Sequence, residues 1–129
     1  MTEYSSYFDL VTETLAEIED WFSGEDPGVL PTLLARFSAQ FSMITPSGSV
    51  LDLEGLEGLF EPLRGMRPGL RITLSEFKGL ALYEQGAVIS YRELQEWPNA
   101  VSNDRRATVV FERDGHGKVV WRHLHETFC

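Results

Sequence analysis

Apolar residues recur every three or four positions near the start of the chain: Tyr4, Tyr7, Phe8, Val11, Leu15, Ile18 and Phe22 form one stripe, with Glu13, Glu17 and Asp20 between them. That period predicts an amphipathic helix, and Gly24 supplies its stop. A second, shorter helix begins either near Asp26-Pro27 or at Pro31, because proline is tolerated only in a first turn; it carries Leu30, Leu33, Leu34 and Phe37, and the later start is expected. From Phe37 the period falls to two. Phe41, Met43 and Thr45 alternate with Ser42 and Ile44, and Pro46-Ser47-Gly48 closes the run with turn chemistry, which reads as a strand and its turn. Asp52 is placed to cap a third helix bearing Leu53, Leu56, Leu59, Phe60 and Leu63, with Pro62 predicting a kink or an early end.

Beyond Gly69 the pattern is that of strands only. They run roughly from Leu70 to Tyr83, Ala87 to Trp97, Arg105 to Arg113 and Lys118 to Phe128, separated by Glu84-Gln85-Gly86, by a polar loop from Pro98 to Asp104, and by Asp114-Gly115-His116-Gly117. Helices first and an antiparallel meander afterwards define an α+β layout. Strands of about ten residues exceed the usual length, so the sheet is expected to twist and curl, with Gly79 as a bend in the longest. Helices closing a curled sheet make a cone with a cavity.

Composition narrows the partners. At 129 residues one domain is expected, and 43% hydrophobic with 12% aromatic residues is enough to build its core. Twenty acidic residues against eleven basic ones give a net charge of -9, which repels nucleic acid and anionic membrane surfaces alike. No apolar run has the length to span a bilayer, and no basic start leads into a signal-like segment. The single cysteine, Cys129, has no internal partner. A cytoplasmic protein is expected.

Several stretches carry a resemblance: Phe41-Ser42-Met43-Ile44-Thr45-Pro46-Ser47-Gly48, Arg67-Pro68-Gly69-Leu70-Arg71-Ile72, Val88-Ile89-Ser90-Tyr91-Arg92-Glu93, Phe111-Glu112-Arg113-Asp114-Gly115, and above all Trp121-Arg122-His123-Leu124-His125-Glu126-Thr127-Phe128. In order and content they resemble the superfamily of nuclear transport factor 2, ketosteroid isomerase and SnoaL-type polyketide cyclases, and specifically its small stand-alone bacterial members. The resemblance implies one SnoaL-like domain over residues 1–129, a cystatin-like cone, frequent dimerisation through the outer face of the sheet, and a pocket between helices and sheet. The closing motif is also similar to the last strand of the association domain of calcium/calmodulin-dependent kinase II. By that similarity Glu93 and Thr108 fall where that domain has inward-pointing arginines, so a shared ligand is not implied. Because such folds host unrelated chemistries, function has to come from the site.

Side chains alternate across a strand, so Ala87, Ile89, Tyr91, Glu93 and Gln95 share a face, as do Arg106, Thr108, Val110 and Glu112. On the last strand Val119, Trp121, His123, His125 and Thr127 share one face and Val120, Arg122, Leu124, Glu126 and Phe128 the other; both are partly apolar, and the pattern does not fix which points inward. The expected site takes Glu93, Tyr91 and His123 as catalytic candidates and Arg106, Thr108, Trp121 and His125 as ligand contacts. A buried Glu93 has a raised pKa and can act as a base, with the Tyr91 phenol as donor. The competing reading is a structural Glu93–Arg106 pair across neighbouring strands. His123 and His125 could offer two nitrogens to a metal, yet zinc sites want more ligands than this unit supplies, and no metal or cofactor is assigned. The leading expectation is a homodimeric pocket protein for a small, partly apolar molecule. An acid/base isomerase, cyclase or dehydratase and a non-catalytic oligomerisation module are the alternatives.

Overall fold

In the computed structural model, which describes residues 3–129, α1 spans Ser5–Ser23 and α2 Leu30–Leu34; β1 is Phe37–Ile44, β2 Val50–Asp52 and α3 Leu53–Phe60. Four long strands follow, β3 (Arg71–Tyr83), β4 (Gly86–Glu96), β5 (Asn103–Arg113) and β6 (Val119–Phe128). The punctuation follows the sequence. Gly24 ends α1 in the left-handed conformation at φ 79°, its N–H bonded to the Asp20 carbonyl, a backbone state that glycine enters without a Cβ clash. Pro31 sits in the first turn of α2, so the later start is the observed one. Asp52 caps α3 by accepting from the Gly55 N–H at 2.8 Å, and around Pro62 the helix tightens into a 3-10 turn, Glu61–Leu63, and stops.

The six strands form one curled but open sheet in the order β2-β1-β6-β5-β4-β3. All neighbours are antiparallel except β1 and β6, which run parallel with Ser42 opposite His123. The short β2 and this parallel pairing are additions to the helix-then-meander layout read from the sequence. Curl comes from irregularities in register. β3 shifts between Ser75 and Lys78 and again between Gly79 and Ala81, and the β5–β6 ladder shifts at Val110/Phe111; such bulges bend a strand and increase its twist. At Gly79 a Cβ would come within 2.5 Å of the Tyr4 ring, so the expected bend is also the place where that ring lies against bare backbone.

α1 lies in the hollow of the sheet. Tyr7 meets Phe111 with ring centroids 5.7 Å apart and Phe8 meets Phe77 at 5.1 Å. The Trp121 indole N–H donates to Thr14 Oγ1 at 3.1 Å, the Trp21 indole to the Phe60 carbonyl at 2.7 Å, and the Ile72 N–H to Glu19 Oε1 at 2.6 Å. These bonds tie α1 to β6, α3 and β3, while Val11, Phe41, Ile89, Val109 and Phe111 form the fully buried centre. The inner ends of β4, β5 and β6 are left to line a space beneath the second half of α1.

Candidate functional site

That space is a cavity of about 80 Å³, walled by Leu15, Ile18 and Phe22 of α1, Phe37 and Met43 of β1, Leu56 and Phe60 of α3, and Trp121 and Leu124 of β6. Into these apolar walls the sheet inserts five polar side chains: Tyr91, Glu93 and Gln95 from β4, Arg105 from β5 and Glu126 from β6. Register explains the grouping. Glu93 is paired with Arg105 and Tyr91 with Ala107 across β4 and β5, and Ala107 with Glu126 across β5 and β6, so one row of inward positions crosses three strands.

The polar groups bond mainly to one another. Gln95 Nε2 donates to Glu93 Oε2 at 2.5 Å, Arg105 Nη1 to Glu126 Oε1 at 3.0 Å, and Arg67 Nη1 to Gln95 Oε1 at 3.1 Å. Arg67 lies over the rings of Phe22 and Trp97 at 5.1 and 4.7 Å, at the edge of the cluster. The exception is the Tyr91 hydroxyl. It is fully buried, lines the cavity, and has no hydrogen-bond partner among the described residues. Native proteins rarely leave a buried hydroxyl unpaired.

Burial sets the acidities. Glu126 is pushed up to about 7, first by loss of solvent and then by the charge of Glu93, against the pull of Arg105. Glu93 is raised by burial, opposed by the Gln95 hydrogen bond and by Arg105. Tyr91 is raised well above the usual phenol range by burial and by both carboxylates, so it stays an O–H. The cluster therefore holds one carboxyl, Glu126, that exchanges its proton near neutral pH and a second, Glu93, raised in the same direction, beside a phenol that keeps its proton, which is the equipment of a proton-transfer site.

The expected site residues divide. Tyr91, Glu93 and Trp121 line the cavity; Arg106, Thr108, His123 and His125 do not. Arg106 and Thr108 point to the outer face because the inner row of β5 is Arg105, Ala107, Val109 and Phe111, and Arg106 pairs instead with Glu76 at 3.2 Å in solvent. The expected Glu93–Arg106 pair does not form: the register partner of Glu93 is Arg105, whose ion pair is with Glu126 at 3.0 Å. His123 and His125 share a face, as read, and it too is the outer one. His123 Nδ1 lies 2.7 Å from Ser42 Oγ, and His125 is exposed. Among the described residues no three His, Cys, Asp or Glu side chains gather in a metal-binding group.

Arg105, Glu126 and the bonding role of Gln95 were missed. For β5 a signal was present: Ala107, Val109 and Phe111 are uniformly apolar, whereas Arg106, Thr108 and Glu112 are not, so the apolar row and Arg105 with it belong inside. For β6 alternation fails, because the irregularity at Val110/Phe111 turns Trp121, Leu124 and Glu126 inward together. A larger groove of about 490 Å³ lies between the start of α1 and the β5–β6 turn, but it is open. Its cations are engaged, Arg36 with Glu17 at 2.6 Å and Lys118 with the Ala35 carbonyl at 2.9 Å.

No protein-family model matches the chain, and no curated protein matches it. Among solved structures, an NTF2-like protein of unknown function from Pseudomonas aeruginosa is 40% identical, covering 95% of this chain and 98% of its own, with a TM-score of 0.88. An NTF2-like protein from Cytophaga hutchinsonii matches over 100% of both chains at 16% identity and a TM-score of 0.76. The CaMKII hub homology domain of Chlamydomonas reinhardtii covers 100% of this chain and 99% of its own at 17% identity and 0.75. The last two share the fold alone.

Proposed function

The chain belongs to the NTF2-like family, and from that premise we propose that it is a pocket protein which holds a small, partly apolar organic molecule beneath α1. Tyr91 and Glu93 stay in the assignment, with Trp121 as wall; Arg105, Gln95 and Glu126 take the places given earlier to Arg106, Thr108, His123 and His125. One observation carries this reading: a fully buried Tyr91 hydroxyl with no partner in the described chain lines a cavity that has apolar walls and a polar floor of Glu93, Gln95, Arg105 and Glu126. A ligand atom that bonds it removes the penalty of an unpaired buried hydroxyl, about 1–3 kcal/mol. At about 80 Å³ the space is smaller than the roughly 150 Å³ that receives benzene, so the ligand is smaller than benzene unless α1 shifts. Native mass spectrometry of the protein as isolated, followed by an NMR screen of small polar fragments, tests it. Fragments that shift the amides of residues 91–95 and lose their effect in Tyr91→Phe support the pocket; a protein that binds none of them overturns it.

Glu126 near neutrality favours a second reading, acid/base catalysis. One ionised carboxylate takes a proton from carbon beside a carbonyl, the Tyr91 O–H bonds the carbonyl oxygen, and the same proton returns at another carbon, so the net reaction is an isomerisation. Turnover of a small carbonyl compound that Glu93→Gln and Glu126→Gln both abolish is the expected sign. A rate indifferent to both variants removes this reading.

The outer sheet face supports homodimerisation as part of the proposal. Ile44, Val88, Val110 and the Ser42–His123 pair lie there half-buried, and a hub homology domain has the same fold. Light scattering after gel filtration checks it: a monomer at micromolar concentration ends this part. No described helix is long and apolar enough to cross a membrane, and the free thiol of Cys129 fits the reducing cytoplasm that the proposal includes.

A further inference from the structure

We propose that the cavity takes a small organic amine in its ammonium form, held by the carboxylates of Glu93 and Glu126 and the hydroxyl oxygen of Tyr91. This rests on reading the cavity as a ligand pocket and names the ligand's class. Two observations lead there independently. The first is charge: the cavity contains two carboxylates and one guanidinium, Arg105, and is one positive charge short when both carboxyls are ionised. The other elements packed around it bring no charge. α1 presents Leu15, Ile18 and Phe22, β1 Phe37 and Met43, and α3 Leu56 and Phe60. Arg67, the remaining cation nearby, does not line the cavity; it is only partly buried, stacked on Phe22 and Trp97 and bonded to Gln95.

The second is the count of open acceptors. Gln95 occupies Glu93 Oε2 and Arg105 occupies Glu126 Oε1. No hydrogen bond from a described residue to Glu93 Oε1 or Glu126 Oε2 accompanies these two, and the Tyr91 hydroxyl is the one fully buried side-chain polar atom left without a partner among the described residues. A primary ammonium carries three N–H donors and no acceptor, which matches three acceptors with no donor assigned to them. Phe22, Phe37, Phe60 and Trp121 supply the aromatic surround that favours a cation over a neutral isostere.

Proton and ammonium then compete for the same carboxylate. The raised pKa of Glu126, which burial and Glu93 cause, is the proton's side of that competition. A carbonyl ligand accepts its hydrogen bond from the Tyr91 O–H, which keeps its proton throughout, so its affinity gains nothing as Glu126 ionises and should not rise with pH. The sign of the pH dependence separates the two.

The test is a titration of the isotope-labelled protein, followed by NMR, with ethylamine, ethanol and acetone between about pH 5.5 and about pH 8.5, where an alkylamine stays protonated. With so few atoms, millimolar affinity is the ceiling to expect. Ethylamine should bind more tightly than ethanol, its affinity rising towards about tenfold per pH unit below the Glu126 titration and levelling above it. Glu126→Gln should remove that rise, and Tyr91→Phe, which keeps the packing, should weaken ethylamine severalfold. Acetone or ethanol binding in preference, or affinity for ethylamine falling as pH rises, would overturn the amine assignment and leave the pocket standing. Failure of all three probes at residues 91–95 would remove the pocket and the amine together.

Discussion

Glu93 and Arg105 are register partners across β4 and β5, and both line the cavity, whereas Arg106, one residue on, pairs with Arg92 in the ladder and reaches Glu76 in solvent. Neighbouring arginines thus meet opposite energetics. Arg105→Ala strands two buried carboxyls without their cation and should cost about 3–5 kcal/mol at pH 7. Arg106→Ala, at 55% side-chain exposure, should cost less than about 1 kcal/mol. Urea unfolding of the two variants measures both, and equal losses would contradict the inward placement of Arg105.

Stability between acid and neutral pH should show two opposing slopes. Glu126 has a folded pKa of about 7, above its ordinary 4.5; the folded state holds this proton more tightly, so the contribution is full below about 4.5 and is lost as pH rises through about 7, on the order of 3 kcal/mol. Glu93 shifts in the same direction. His123 is lowered, first by burial and then by His125 and Arg122; its contribution is present above 6.5 and is lost as pH falls through the lower folded value. Glu126→Gln should therefore make stability climb more clearly with pH across this window, and His123→Gln should make it fall more clearly. Urea midpoints collected across that window decide the signs.

Removing the Tyr91 hydroxyl deletes no hydrogen bond within the described chain. Tyr91→Phe should leave the melting temperature unchanged or raise it, by up to about 1 kcal/mol in stability, while weakening any ligand. A gain in stability with a loss of binding is the pattern of a residue kept for function. A clear fall in melting temperature would mean that the hydroxyl has a structural partner.

Gly86 opens β4 beside β5, and a Cβ there would lie 1.9 Å from the Phe111 carbonyl oxygen and 2.9 Å from Glu112 Cα. Both are backbone atoms of the adjacent strand and cannot swing aside. Gly86→Ala should lose more than about 3 kcal/mol. Gly58, inside α3 with nothing near its missing Cβ, should behave oppositely, Gly58→Ala gaining about 0.5–1 kcal/mol. Thermal melts of the pair provide the check.

What could be read from the chain was local. The stripe from Tyr7 to Phe22, Gly24 at its end, the Asp52 cap and the stop at Pro62 each depend on near neighbours, and each is visible in sequence. Tyr91 and Glu93 were legible because β4 alternates without interruption beside them. His123 and His125 were placed on a common face by the same rule, but which face is inner depends on the bulge where Trp121 meets Phe111, and that depends on a neighbouring strand. Arg105 was within reach of the pattern, one position from the arginine chosen. The parallel partnership of β1 and β6 leaves no local trace, since each strand reads alike whichever neighbour it finds.

That partnership also orders events in time. Ser42 meets His123 across 81 residues, whereas β3 to β6 are joined by short turns and can zip up in sequence. Closing so long a loop loses chain entropy before any contact returns it. The four-strand meander is thus expected to assemble early and the β1–β2 edge to dock late. Until it docks, Phe37, Phe41 and Met43 have no cover, and the cavity, which needs Phe37 and Met43 as walls, is among the last features of the molecule to exist.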